Sequence, residues 1–312
     1  MIYKKQLITS VVVSFILLFA GCTSKNTRVL ISNYAEASSN TQTNILNTYK
    51  DVIYQEQQYL YYKALRDGGS LKDITPRKIN YSGQQKALKD LSEFTEALAK
   101  ISSDDYLDSI DTNSAKLYSS AKSLSENDYV KNESDVSKED IELFTTILNV
   151  STKGYVEYIK TKHLEKLMLA SDKLVQNILD NLDNDLPSWK RHLKKSLRHR
   201  KNIQLLVLNN PHTYCKLKDK NKECYILQES FKTKIGLYDE VNHIQKRIDN
   251  LNDEFKALSD SIALMSKMHK NIIKSIKGDK LDDLSLKTLK RNQRRLKELS
   301  QSINKYRKSV QG

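Results

Sequence analysis

Twelve consecutive residues, KRHLKKSLRHRK (Lys190–Lys201), carry seven Lys or Arg and two His. Ammonium and guanidinium groups at this density neutralise phosphates, sulfates or carboxylates. Leu193 and Leu197, one helical turn apart, give the stretch a narrow apolar side, so it reads as a basic amphipathic helix. The chemistry open to Lys190, Arg191, Lys194, Lys195, Arg198, Arg200 and Lys201 is therefore anion binding, with lipid, lipopolysaccharide or sulfated glycan as the anion. Nucleic acid meets the electrostatics equally well. The plainer expectation is a solvated face that balances acidic residues elsewhere in one bundle. His192 and His199 are seven apart, about 10.5 Å along a helix. That is too far to share a metal, and the cations between them oppose one.

A second chemically marked position lies near the start. Lys4 and Lys5 precede an apolar run, Leu7–Phe19, which is broken only by Thr9, Ser10 and Ser14 and closes on Phe19-Ala20-Gly21-Cys22. The run is shorter than the roughly 20 residues that a bilayer core requires. A cationic head, a short hydrophobic body and a small-residue end describe a secretory signal peptide. The last four residues resemble the lipobox of bacterial lipoproteins, with Phe19 standing where an aliphatic is usual. The resemblance covers residues 1–22 and implies cleavage before Cys22 and acylation of Cys22 by lipid, palmitate included. Each buried methylene adds about 0.8 kcal/mol, and two or more chains hold a protein stably on a membrane surface. No stretch after Cys22 approaches eighteen consecutive apolar residues. Thr23, following the cysteine, leans towards the outer membrane in a Gram-negative host, where Asp favours inner-membrane retention. Export also takes nucleic acid out of the expected physiological partners.

The remaining cysteines, Cys215 and Cys224, sit in YCKLKDKNKECY. A metal would need further ligands at close spacing and only His212 is near, while a redox pair is usually Cys-x-x-Cys. In an oxidising compartment a disulfide is the expected state, and it would restrict the unfolded chain by roughly 2–3 kcal/mol. His269 interrupts an apolar seam and invites a pH-switch reading, since histidine ordinarily titrates near about 6.5; a polar register residue is the plainer role. DNLDND (Asp180–Asp185) lacks the glycine and distal glutamate of a calcium loop. No Gly-rich phosphate loop, His-Glu-x-x-His pair or Gly-x-Ser-x-Gly elbow occurs, so neither catalysis, nor a cofactor, nor a metal is expected.

The elements that must position these residues are helical. Eight Gly and three Pro in 312 residues supply too few turns for a sheet protein. A first helix is expected from about Asn33 to Asp67, with Ile45, Tyr49, Val52, Ile53 and Leu60 along one side and a crowd of tyrosines whose rings pack while their hydroxyls stay wet. QQKALKDLSEFTEALAKI spaces Ala87, Leu88, Leu91, Phe94, Leu98 and Ile101 as a second helix. Further stretches follow at about 106–124, at 138–182 with Gly154 as a weak point and a bend or wide packing expected between Tyr158 and Leu164, and at 188–208 beyond Pro187.

The strongest periodicity comes last. Val241, Ile248, Phe255, Ile262, His269 and Ile276 alternate with Ile244, Leu251, Leu258, Met265 and Ile272 over five heptads. A second seam runs through Leu289, Leu296, Leu299, Ile303, Tyr306 and Val310, with Asn292 as its polar exception. The polar connector between them, Lys277–Asp283, favours an antiparallel hairpin. The expected fold is an all-α, elongated helical bundle ending in an antiparallel coiled-coil hairpin. Its expected organisation is a signal peptide (1–21), a lipidated tether (22–32), an acidic helical region (33–186) and a basic helical region (187–312).

Charge divides the chain unevenly. Residues 23–186 hold 20 Lys/Arg against 25 Asp/Glu, and residues 187–312 hold 30 against 13. The resulting expectation is a non-catalytic, membrane-anchored envelope lipoprotein acting as a helical protein-interaction module, through a partner or self-association. The alternative is a binder of anionic envelope or host polymers through the basic C-terminal half. A membrane-active toxin or exclusion factor needs a concealed apolar tongue that no stretch supplies, and ranks last. Replacing Cys22 with Ser is expected to abolish palmitate incorporation and to release the chain from the membrane fraction. Equal radiolabelling of variant and parent would refute lipidation at Cys22.

Overall fold

With so few glycines and prolines to stop them, the helices here run long. The computed structural model describes residues 2–67, 82–102, most of 116–129, 157–209, 214–218, 221–225, 231–277 and 283–308. Five helices organise it: α1 (Ile2–Arg66), α2 (Ser82–Ser102), α3 (Glu157–Asn209), α4 (Phe231–Ile276) and α5 (Asp283–Lys308). Residues between 116 and 129 are also mostly helical. The protein is an all-α bundle, as the sequence predicts. Two five-residue strands, β1 (Tyr214–Lys218) and β2 (Asn221–Tyr225), interrupt the pattern as an antiparallel pair between α3 and α4. The first part of the expected 138–182 helix, with Gly154, lies outside the described residues, as do residues 278–282 of the α4–α5 connector and Val310.

Two expectations about boundaries are corrected. The segment 22–32, read as a polar tether, is helical, and its Leu30 and Ile31 are buried. No Gly or Pro occurs between Cys22 and Asp67, so nothing in the chain stops α1 at Asn33. The second concerns Pro187, taken as the start of a new region. It lies inside α3, which continues through it. An interior proline removes the bond to the carbonyl four residues back, here Asp183, at a cost of about 3 kcal/mol. Leu182, Leu186 and Trp189 around it are buried, and that burial offsets the loss.

The chain packs as two compact units assembled from separated segments, rather than dividing at 186/187. Unit 1 comprises Met1–Thr43, Ser82–Asn181 and Ile262–Lys297, and unit 2 comprises Asn44–Tyr81, Leu182–Ser261 and Glu298–Gly312. In unit 1 the core is formed by Ile31 and Tyr34 of α1, Leu88, Leu91 and Leu98 of α2, Met168 and Ile178 of α3, and Met265 and Ile272 of α4. Thr95 of α2 donates a buried hydrogen bond of 2.8 Å to Gln42 of α1. Gly83, at the start of α2, accepts at its carbonyl from Asn127 at 3.0 Å, and a Cβ there would come within 3.3 Å of Tyr129.

Unit 2 buries Ile45, Tyr49 and Val52 of α1, Trp189, Leu193 and Leu197 of α3, Leu251, Phe255 and Leu258 of α4, and Ile303 of α5. Trp189, the single tryptophan of the chain, meets Tyr49 edge-on with ring centroids 5.1 Å apart. The seam residues picked out by heptad spacing are buried from Val241 to Ile272 on α4, and at Leu289, Asn292, Leu296, Leu299 and Ile303 on α5.

Candidate functional site

The basic stretch lies wholly on α3, in unit 2. Leu193 and Leu197 are fully buried, which turns the opposite side of the helix outward. There Lys190, Arg191, Lys194, Lys195 and Arg198 line one shallow groove with Pro187, His199 and Asn202. Arg191, Lys195 and Arg198 are exposed, and Lys190 and Lys194 are half-buried. Among the described residues none of these five lies within ion-pair distance of a carboxylate. The face is therefore a strip of five cations at helical spacing.

Arg200 and Lys201 do not join them. Arg200 is turned inward, paired with Glu240 of α4, donating to Gln55 Oε1 of α1 at 2.9 Å and lying 5.2 Å over the ring of Tyr62. Tyr62 in turn donates to Glu240 and accepts from Gln204 at 3.1 Å. Lys201 donates to Gln245 at 2.6 Å. These two residues hold α3 against its neighbours, so the sequence reading that placed them in the anion site is corrected. The rings of the α1 tyrosine cluster pack as the plainer reading has it, Tyr49, Tyr59 and Tyr62 on Trp189, His199 and Arg200 respectively, but Tyr49 is fully buried and the Tyr62 hydroxyl is bonded within the fold instead of being left to solvent.

Deeper in unit 2 lies an ionic network that sequence reasoning missed. Arg247 of α4, only 3% exposed, donates to Asp51 Oδ2 of α1 at 2.9 Å and bridges Glu254, one heptad on, at 2.6 Å. Burial pushes the Glu254 carboxyl above the usual range despite the opposing charge of Arg247. Burial also lowers the basicity of Arg307 of α5, which Asp51 and Glu254 oppose. A signal was present: Glu240, Arg247 and Glu254 recur every seven residues, immediately before the first seam position of each heptad. Charge at that position ordinarily flanks a seam in solvent, so the repeat reads as a surface edge.

In unit 1 the seam histidine meets a carboxylate. His269 of α4 is buried, with Nε2 3.2 Å from Asp172 Oδ1 of α3 and its ring 5.5 Å from that of Tyr34 of α1. The imidazole beside it holds the Asp172 carboxyl below the usual carboxylate range, and Lys277 and Lys270 add to this. Burial raises the Tyr34 phenol far above the usual tyrosine range, and the Asp172 charge acts in the same direction. A buried phenol and a buried imidazole thus lie beside a half-buried carboxylate at the edge of the unit 1 core.

Cys22 falls within the span of α1. Cys215 and Cys224 are directly opposed partners in the β1–β2 ladder. Among the described residues no group of three His, Cys, Asp or Glu is arranged to hold a metal, and no helix is long and apolar enough to cross a membrane. Comparison with protein-family models, characterised proteins and solved structures finds no match to this chain.

The Asp172–His269 contact has a pH signature. A carboxyl held below its ordinary value of about 3.9 stabilises the fold above that value, and the contribution is lost as pH falls through the lowered one. Urea midpoints measured from pH 5 down to pH 2 are expected to fall more steeply for the parent than for Asp172→Asn. Parallel curves would remove this carboxylate from the acid response.

Proposed function

We propose that the protein is a non-catalytic, lipid-anchored envelope protein that engages anionic polymers or headgroups through the outer face of α3. The observation that carries this reading is the strip Lys190, Arg191, Lys194, Lys195 and Arg198, exposed or half-exposed with no carboxylate paired to it among the described residues. Because Leu193 and Leu197 are consumed by the core of unit 2, contact is electrostatic and does not require insertion into acyl chains. Each Lys or Arg near an anionic surface contributes about 1 kcal/mol, so five together make a substantial, salt-sensitive attraction. The anchor rests on the lipobox resemblance at Cys22, which supports an envelope location and, in a Gram-negative host, the outer membrane.

A helical protein-interaction module ranks second. The seams that would have made the contact are buried within the chain itself, so a partner must use other surface. Ile235 and Tyr238, three residues apart at the start of α4 and both exposed, are what favours it.

The register of β1 and β2 supports a disulfide between Cys215 and Cys224. Directly opposed residues of an antiparallel ladder have Cα atoms about 4.5–5.5 Å apart, within the span a disulfide bridges. An unreduced peptide map of protein taken from the envelope is expected to show the two cysteine peptides joined. Two alkylatable thiols would end the idea.

The anion-binding reading is tested in the full chain, because unit 2 draws on α1 as well as the basic half and a fragment starting at Pro187 would lack Asp51, Tyr49 and Gln55. Changing Lys190, Arg191, Lys194, Lys195 and Arg198 together to Gln is expected to move elution from immobilised heparin to lower salt and to flatten the salt dependence of binding. Identical elution of variant and parent would discard this face. Retention of one stoichiometric protein at high salt would instead promote the interaction-module reading.

A further inference from the structure

Unit 2 contains a second polar concavity, separate from the basic strip. It is a cleft of about 490 Å³ whose lining residues come from α1, α3, α4 and α5 and all belong to unit 2. Four cationic side chains, Lys50, Arg200, Arg247 and Arg307, line it against two carboxylates, Asp51 and Glu240. Those carboxylates are committed, Asp51 to Arg247 and Glu240 to Arg200. Lys50 and Arg307 make no ion pair within 4.0 Å among the described residues. With Glu254 beyond Arg247 counted, four cations meet three carboxylates, so the cleft and its wall keep one positive charge in excess, and Asp51 and Glu254 act on Arg307 as well as on Arg247.

Hydrogen-bonding capacity is also left over. Arg200 Nε and His243 Nδ1 are buried and meet no hydrogen-bond partner among the described residues. Both atoms belong to residues that line the cleft. Burial of Arg307, which depresses its basicity, gives that guanidinium the same need for a compensating anion.

We propose that this cleft binds a phosphate-bearing ligand, with Lys50 and Arg307 contacting the phosphate and Arg200 and Arg247 held as its frame. A phosphate monoester brings a charge of about −1.5 to −2 and three acceptor oxygens, so one group can contact Lys50 and Arg307 together where a carboxylate offers only two oxygens. The guanidinium fork suits its geometry. The volume lies within the range of about 300–1,000 Å³ typical of small-molecule sites and exceeds what a bare phosphate needs, so the phosphate is carried on an organic body. Tyr54, half-exposed among the lining residues, offers a ring face for that body. A soluble phosphomonoester and a lipid phosphate headgroup share this chemistry.

The test is calorimetric titration of the full chain in neutral detergent with glucose 6-phosphate and, separately, with short-chain phosphatidic acid below its micellar concentration. Glucose and short-chain phosphatidylcholine serve as comparators. Saturable binding of glucose 6-phosphate supports a soluble phosphomonoester, and saturation only by phosphatidic acid supports a lipid headgroup. In either case Lys50→Gln and Arg307→Gln are each expected to weaken binding by about tenfold, the loss of one charge-assisted contact. The five-residue glutamine variant of the basic strip should bind glucose 6-phosphate as the parent does, since only a lipid headgroup is shared between the two faces. Lys50 is exposed, so its variant decides the matter should Arg307→Gln prove unstable. Absence of saturable binding to both phosphate probes, or unchanged affinity in a folded Lys50→Gln variant, overturns the proposal.

Discussion

A helix of 46 residues such as α4 carries its apolar stripe along its whole length, and only side-by-side packing can remove that stripe from water. Every other feature of the molecule follows from this constraint. With few residues able to turn the chain, α1, α3, α4 and α5 each supply residues to both compact units, and the same helix faces a different set of neighbours in each. The interior proline of α3 is tolerated for the same reason: residues buried on either side of it stabilise the helix by more than one lost backbone bond removes.

Packing around a helix of this kind is wider than a two-position seam. On α4 the first and fourth heptad positions are apolar apart from His269, yet the position before the first is also buried in four successive heptads, at Arg247, Glu254, Ser261 and Met268. It brings Arg247 and Glu254 into unit 2 and Met268 into unit 1. A buried guanidinium is tolerable only when carboxylates meet it, so Arg247 draws Asp51 from α1 and Glu254 from its own helix into one network. His269 and Asp172 play a corresponding part in unit 1. Such groups add little net stability over an apolar core, but they penalise helix registers in which a charge would be buried alone. In both units the polar contact is made between helices that the apolar stripes alone would allow to slide.

Function is read from what the packing leaves over. The heptad seams are spent within the chain, which removes the surface on which a coiled-coil partner would have bound. What remains outward on α3 between Lys190 and Arg198 is charge, arranged on one face by Leu193 and Leu197, which point the other way. The acidic and basic stretches of the chain are interleaved within each unit, as Asp51 with Arg247 and Asp172 with His269 illustrate. Asp51 and Asp172 of the acidic half are drawn to groups of the basic half in this way, and the strip from Lys190 to Arg198 stays outside these contacts.

The all-helical character, the seam residues of α4 and α5, and the buried side of the basic helix were legible in the sequence alone, since each depends on local periodicity and on the scarcity of Gly and Pro. The plain role of the tyrosines was legible too, because a phenol packs its ring wherever a core is near. The sequence could not show that Arg200 and Lys201 turn inward while Lys194 and Lys195 do not. Seven cations on one helix are locally equivalent, and only the neighbours Glu240, Gln55 and Gln245, contributed by α1 and α4, distinguish them. Nor could it place the helix ends, because Leu30, Ile31 and Leu186 prolong their helices through burial against distant segments. The Arg247 network stayed hidden for the same reason: whether a charge beside a seam lies in water or in a core is decided by how many helices surround it, and that number exists only in the folded chain.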